Sequence, residues 1–292
     1  MSSITEAPNT EMSGTTEIPR LPASVLPPEA LRELGMASEI LERKSFAFRL
    51  ASMAGAPIEA LKSRLPTAVQ GLLDSAVRQA LTTAAKAALA SGPGRAGWSG
   101  TGWSGSGWFH RGLTVASGVA GGAFGLPGTL AELPVSTALL LRQIAAIAAA
   151  EGEDLSDPAA AAECLKVFAL GSRDTGGSAE RTDYFTTRMA LAEALRAAVS
   201  RGAAGVLMPG FIGAIAARFG GPIALKLSAQ AAPVLGAAAG AAVNLAFLEH
   251  FRDVARAHFI VRRLERVHGP GPVRLAFEAG RPRPTGAPVR GG

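Results

Sequence analysis

Three residues near the carboxyl end have side chains suited to metal binding or acid–base chemistry: His250, Asp253 and His258. Imidazole nitrogens and carboxylate oxygens are common zinc ligands and proton carriers. The two histidines lie more than two helical turns apart, so a single ion would need a further ligand from another helix. We expect packing and hydrogen bonding to account for this group better than a metal does, and we predict no cofactor.

The sequence lacks the motifs of several common enzyme classes. It has no H-E-x-x-H zinc-peptidase motif, no G-x-x-x-x-G-K-[ST] phosphate loop and no G-x-S-x-G nucleophile elbow. Residues 92–97 match G-x-G-x-x-G, but they follow a helical pattern rather than a strand, which removes the basis for dinucleotide binding. We therefore predict a protein without catalytic activity, with a hydrolase of unrecognised site as the third alternative.

Two further ionisable residues, Glu132 and Arg142, interrupt apolar sequence. At membrane depth such groups are usually functional, whereas next to an interfacial segment they mark helix ends, and both interpretations stay open. The single cysteine, Cys164, excludes an internal disulfide and any multi-cysteine zinc site. We expect it to be a small buried residue.

Helical periodicity predicts the elements that must position these residues. Apolar side chains recur three or four positions apart after Pro28 and again past Pro66, a spacing that places them on one face of a helix. Asp157 and Pro158 predict the start of an alanine-rich helix that runs to Leu170. No alternating pattern of useful length predicts a strand, so the expected fold is all-α, a multi-helix bundle.

Two apolar blocks rich in glycine and alanine are expected to form helical hairpins within this bundle. Residues 112–131 carry no charge and approach the ~20 residues that a helix needs to cross a bilayer. The second block covers residues 202–248, and its uncharged part, 227–248, is the best spanning candidate. A re-entrant or interface-bound hairpin fits the pattern equally well. Small residues at helical spacing allow close helix packing. The candidate packing residues are Gly118, Gly122 and Gly125 in the first block, and Gly236, Gly240 and Asn244 in the second.

All three tryptophans, Trp98, Trp103 and Trp108, lie in a Gly/Ser-rich loop just before the first apolar block. Indole rings concentrate at the boundary between water and lipid because an apolar ring carries one polar N–H group. The loop is therefore a candidate membrane contact. Capping of a soluble core by the three rings is an equally good interpretation.

The basic charge is concentrated at the carboxyl end. The formal net charge is +6, and the chain from Arg262 onward contains seven arginines and two glutamates. A nucleic-acid-binding domain would carry its positive charge on a folded face, so we predict no nucleic-acid partner. We expect instead a basic tail that binds an anionic membrane surface.

Both ends of the chain are predicted to be disordered. Residues 1–26 are rich in Thr, Ser and Pro and lack a periodic apolar pattern. They also lack the basic and apolar regions of a secretory signal, so export by the usual route is not expected. Residues 269–292 are rich in Arg, Pro and Gly and form the basic tail.

One stretch of sequence, residues 118–157, resembles the EcsC family. It reads GVAGGAFGLPGTLAELPVSTALLLRQIAAIAAAEGEDLSD, which is similar to that family's glycine-rich hairpin, following helix and Gly-acid-acid turn. Residues 49–66 and 232–264 support the resemblance, which extends over roughly residues 27–268, an EcsC-like helical domain. The resemblance implies a bacterial helical protein, associated in the family's namesake with an ABC-transporter operon. It implies no catalytic residue.

Taken together, these features predict a membrane-associated helical accessory protein without catalytic activity, linked to an ABC transporter or a secretion system. Its expected location is the cytoplasmic side of the inner membrane, peripheral or embedded. Its expected partners are the bilayer or its surface, a transporter or other membrane protein, and a second copy of the chain. The alternative is a soluble cytoplasmic helical module for interaction or oligomerisation.

Overall fold

The computed structural model describes residues 26–42, 67–90, 133–172, 184–200, 209–230 and 237–280. Within these ranges it contains eight helices and no strand, which confirms the predicted all-α bundle. The helices are α1 (Pro28–Glu42), α2 (Thr67–Ala90), α3 (Leu133–Ala150), α4 (Pro158–Leu170), α5 (Tyr184–Ser200), α6 (Pro209–Gln230), α7 (Ala237–His268) and α8 (Pro270–Ala279).

The apolar helix α6 and the long helix α7 form the centre of the bundle. α6 packs against α2, α4, α5 and α7, while α7 also contacts α1, α4 and α8. Aromatic rings fill the junction of α4, α6 and α7. The ring centroids of Phe168 and Phe219 are 4.8 Å apart, and those of Phe219 and Phe251 are 5.5 Å apart. These edge-on contacts join the three helices in one hydrophobic core.

The turn between α3 and α4 is fixed by local backbone chemistry. Gly152 has a φ of +80°, a conformation that favours glycine because a side chain would be strained there. At the start of α4 the carboxylate of Asp157 accepts a hydrogen bond of 2.8 Å from the Ala159 amide, and Pro158 occupies the first turn. The predicted helix from Pro158 to Leu170 is confirmed.

The prediction of disorder for residues 269–292 is wrong over residues 270–279. These residues form α8, which follows Gly269 (φ +86°) and begins with Pro270. Val273 and Phe277 are buried, and their four-residue spacing places both on one face of the helix. The Pro/Gly composition concealed this short amphipathic pattern. Residues 281–292 and 1–25 lie outside the described residues.

The predicted spanning candidate, residues 227–248, is described only in part. It overlaps the end of α6 at Gln230 and the start of α7 at Ala237, and residues 231–236, which include Pro233, lie outside the described residues. Two other described helices are long and apolar enough to cross a membrane, Leu133–Ala150 and Pro209–Ser228, by length and composition only. The first predicted block, residues 112–131, lies outside the described residues.

Candidate functional site

A buried hydrogen-bonded network connects α4, α5 and α7. The Tyr184 hydroxyl lies 2.8 Å from His258 Nδ1, and His258 Nε2 lies 3.2 Å from Glu163 Oε2. Tyr184 and His258 are fully buried, and the Glu163 side chain is 12% exposed. We call these three residues the Tyr–His–Glu network.

The hydrogen-bond partners of His258 determine which of its two ring nitrogens carries the hydrogen. An ionised carboxylate can only accept, so Nε2 donates to Glu163 and Nδ1 accepts from the Tyr184 hydroxyl. Burial lowers the pKa of His258 to about 4 and outweighs the hydrogen bond to Glu163, which raises it. The imidazole is therefore neutral near pH 7, and its contact with Glu163 is a hydrogen bond rather than an ion pair.

Two cations stabilise the buried carboxylate of Glu163. Lys166 Nζ lies 2.7 Å from Oε1, and Arg262 Nη1 lies 3.3 Å from the same oxygen. Burial raises the pKa of Glu163, but the hydrogen bond from His258 and the positive charges of Lys166 and Arg262 outweigh it and hold that pKa below its usual value. Glu163 is thus ionised, and its charge balances that of the buried Lys166.

Three arginines of α7 bind the acidic turn between α3 and α4. Arg262 forms two parallel hydrogen bonds with the Glu153 carboxylate, of 2.7 and 3.0 Å. The other two arginines also have carboxylate partners: Arg263 pairs with Glu151 and with Glu33 of α1, and Arg266 pairs with Glu153. These three arginines belong to the basic stretch counted from Arg262 onward, and in the structure each of them is paired with a carboxylate of the same chain.

An ion pair between Arg188 and Glu265 joins α5 to α7 next to Tyr184. The two guanidinium nitrogens of Arg188 donate to the two carboxylate oxygens of Glu265 at 2.8 and 2.9 Å. The Arg188 guanidinium also lies 5.4 Å from the centroid of the Tyr184 ring. A bidentate pair of this kind fixes orientation as well as distance, so it sets the position of α5 against α7.

The order carboxylate, imidazole and hydroxyl is one that can activate a hydroxyl group in enzymes. Here burial raises the pKa of the Tyr184 hydroxyl, which opposes formation of a phenolate. Tyr184 and His258 are both enclosed by protein atoms, so a substrate has no access to either group in this structure. The arrangement is suited to holding three helices in register.

The structure separates the three residues predicted from the histidine pattern. His258 belongs to the Tyr–His–Glu network, whereas His250 Nε2 lies 2.7 Å from the carbonyl oxygen of Gly171. The Asp253 carboxylate lies 3.7 Å from Arg256. Among the described residues, no group of three metal-binding side chains lies together.

Of the other predicted site residues, three lie in described helices. Asn244 is buried and lines a cavity of about 20 Å³ with Lys226 and Ser136, room for roughly one water molecule. Arg142 is exposed on α3, and Gly240 lies within α7. The remaining predicted residues lie outside the described part: Trp98, Trp103, Trp108, Gly118, Gly122, Gly125, Glu132 and Gly236.

Glu163, Lys166 and Tyr184 were not among the predicted site residues, although the sequence contains a signal for the first two. Glu163 and Lys166 are the only charged residues of the α4 sequence PAAAAECLKVFAL, and they lie three positions apart. A lone opposite-charge pair at this spacing in an apolar helix indicates a buried pair. Tyr184 is the only tyrosine of the chain, but nothing in the sequence connects it to a histidine in α7.

Comparison with known proteins places the network inside a recognised family region. The model of the EcsC protein family matches residues 105–264, more than half of the chain, and Glu163, Tyr184 and His258 all lie within the match. No curated protein and no solved structure matches the chain.

Proposed function

Because the chain belongs to the EcsC protein family, we propose that it is a membrane-associated helical accessory protein without catalytic activity, working beside an ABC transporter, a secretion system or another membrane protein. In this proposal the described helices form a folded bundle and do not span the bilayer. It contacts the cytoplasmic face of the membrane through the region around the start of α3.

The observation that carries the proposal is the one-sided burial of α3. Only 39% of the apolar segment Leu133–Ala150 is buried, with Leu140 and Ile144 in the core. Val135, near the start of the helix, is 58% exposed. A helix with one face in a protein core and apolar residues outside is suited to lying at a membrane surface.

The sequence that precedes α3 also favours a membrane contact around the start of this helix. Residues 112–131 carry no charge, and the three tryptophans precede them. Arginines beyond α8 would add attraction to anionic lipid, at roughly 1 kcal/mol for each residue near the surface. The arginines left for this role are Arg281, Arg283 and Arg290, because Arg262, Arg263 and Arg266 of α7 and Arg274 of α8 have carboxylate partners.

The absence of catalytic activity is proposed from the burial of the Tyr–His–Glu network. Of all described groups, this one comes nearest to a catalytic arrangement, and its imidazole and hydroxyl are both inaccessible. An unrecognised hydrolase would require activity that is lost in His250→Ala or Glu132→Gln while the fold is retained.

Fractionation of a bacterial lysate tests the proposal. We expect the protein in the membrane pellet, with release by alkaline carbonate if it lies at the surface and retention if residues 112–131 are embedded. Release by high salt alone would mean that arginines provide most of the attraction. Full recovery in the supernatant at low salt would contradict membrane association.

One observation favours a second candidate, a soluble module for helical interaction or oligomerisation. The apolar segment Pro209–Ser228 of α6 is 56% buried and has neighbours in four helices, so its hydropathy is explained by core packing. If α3 were likewise covered by protein, the chain would purify without detergent as a monodisperse monomer or oligomer. The fractionation described above separates the two candidates.

A further inference from the structure

A single residue connects the last described helix to the rest of the bundle. α7 ends at His268 and α8 begins at Pro270, so Gly269 alone forms the hinge between them. Its backbone has a φ of +86° and a ψ of 150°, a combination that is essentially restricted to glycine and costs free energy to maintain. Short hinges under strain favour the exchange of the attached element between two copies of a chain, because exchange allows the hinge to relax.

Few buried side chains hold α8 against the bundle. Of its ten residues, Val273 and Phe277 are the buried ones, and a groove of about 390 Å³ remains between α8 and α1. The aromatic contacts that join α4, α6 and α7 are made by Phe168, Phe219 and Phe251, all of which lie outside α8. α8 can therefore leave its place while the central core stays packed.

The surface beneath α8 is complementary to the side chains of α8. The Phe277 ring stacks on Tyr184 with centroids 5.6 Å apart and meets Phe185 edge-on at 5.2 Å. The Arg274 guanidinium lies 5.6 Å from the centroid of the Phe185 ring. We call Tyr184 and Phe185 the α8 seat. A second copy of the chain carries an identical α8, so it can form each of these contacts without any new complementarity.

We propose that two copies of the chain exchange α8, so that Val273 and Phe277 of each copy occupy the α8 seat of the other. Gly269 then leaves its positive-φ conformation, and the contacts of the seat are retained. The ring that covers Tyr184 comes from the second copy, so both copies enclose each Tyr–His–Glu network. α8 lies beyond the family match, which ends at residue 264, so the exchange is proposed for this chain and not for the family.

Crosslinking of cysteine variants in the full-length protein tests the exchange. Gly35 of α1 and Gly280 at the end of α8 line the same groove, and a side chain added at either position meets no atom closer than 3.5 Å. The double variant Gly35→Cys with Gly280→Cys is treated with a short bifunctional maleimide at a series of protein concentrations. Gly71→Cys with Gly280→Cys is the control, because Gly71 lies on α2, which packs on α4 and α6. The native Cys164 is buried and does not react.

In the Gly35 variant we expect covalently joined pairs of chains whose share rises with protein concentration, and in the control we expect few. Crosslinks confined to single chains at every concentration place α8 on its own bundle and overturn the proposal. A complete lack of crosslinks also overturns it, because residues 35 and 280 line one groove. Equal amounts of joined chains in the variant and the control indicate unspecific contact between molecules and overturn it as well.

A hinge variant provides a second and independent measurement. Gly269→Ala disfavours the positive-φ hinge by a factor of about five or more, so the concentration at which half of the protein is dimeric should fall by at least that factor in sedimentation velocity. Gly271→Ala is the control, because a side chain added there meets no atom within 4 Å, and it should leave that concentration unchanged. A dimer fraction that does not rise in Gly269→Ala, or rises equally in both variants, overturns the proposal.

Discussion

The Tyr184 hydroxyl donates a hydrogen bond of 2.8 Å to His258 Nδ1 in the interior of the bundle. This bond joins the start of α5 to the middle of α7. Tyr184→Phe leaves Nδ1 buried without its donor, which costs about 1–3 kcal/mol. We expect the free energy of unfolding in urea to fall by that amount, and an unchanged midpoint would contradict the assigned bond.

Stability is expected to fall as the pH is lowered. Unfolded His258 has its usual pKa of 6.5 and the folded residue has a pKa of about 4. Between these values the unfolded state binds an additional proton, so unfolding becomes more favourable as the pH falls from 6.5 to 4. The loss is on the order of 3 kcal/mol over this interval.

The paired carboxylate adds a second loss at lower pH. The pKa of Glu163 lies below its usual 4.5 in the folded state, so its contribution is present above pH 4.5 and is lost as the pH falls further. Unfolding titrations of the wild type and His258→Asn separate the two effects. The variant should show a shallower dependence between pH 6.5 and 4, and an identical slope would argue against the role of His258.

Arg188 and Arg196 offer a matched pair on α5. Arg188 forms a bidentate pair with Glu265 of α7, whereas Arg196 makes a single exposed contact of 3.0 Å with Glu193. Lysine keeps the charge but cannot form the planar fork. Arg188→Lys should lower the free energy of unfolding by about 1–2 kcal/mol, and Arg196→Lys should change it by less than about 0.5 kcal/mol. Equal effects would show that the α5–α7 pair adds no specific stability.

α8 is expected to be part of the cooperative fold. The Phe277 ring stacks on Tyr184 with centroids 5.6 Å apart and meets Phe185 edge-on at 5.2 Å. Phe277→Ala should lower the free energy of unfolding by about 3–5 kcal/mol. Leu275→Ala is the control because Leu275 is 68% exposed. Amide exchange in α8 as fast as in a free peptide would contradict the packing.

Periodicity in the sequence was sufficient to predict the all-α bundle and the helix from Pro158 to Leu170. Apolar spacing and capping residues are local signals, and the structure follows them in both cases. The short α8 was missed because Pro and Gly are abundant over residues 269–292 as a whole, although Val273 and Phe277 already had helical spacing.

The Tyr–His–Glu network could not be predicted from the sequence, because its members are far apart along the chain. Glu163 and His258 are separated by 95 positions, and Tyr184 and His258 by 74, so only the packing of α4, α5 and α7 brings them together. The same packing explains the arginines of α7. Read along the chain they belong to a basic end, but in the bundle they face the acidic turn of residues 151–153.

Flotation of the purified protein with liposomes containing anionic lipid tests membrane association most directly, using Val135→Glu and a matched Met189→Glu. Val135 and Met189 are 58% and 60% exposed, so neither change disturbs the core. If Val135 enters the lipid interface, its loss weakens binding about tenfold, the equivalent of roughly 1.5 kcal/mol for a buried valine side chain. We predict that Val135→Glu reduces flotation in this way and that Met189→Glu leaves it unchanged. Failure of the wild type to float, or equal losses in both variants, would contradict a membrane contact at α3.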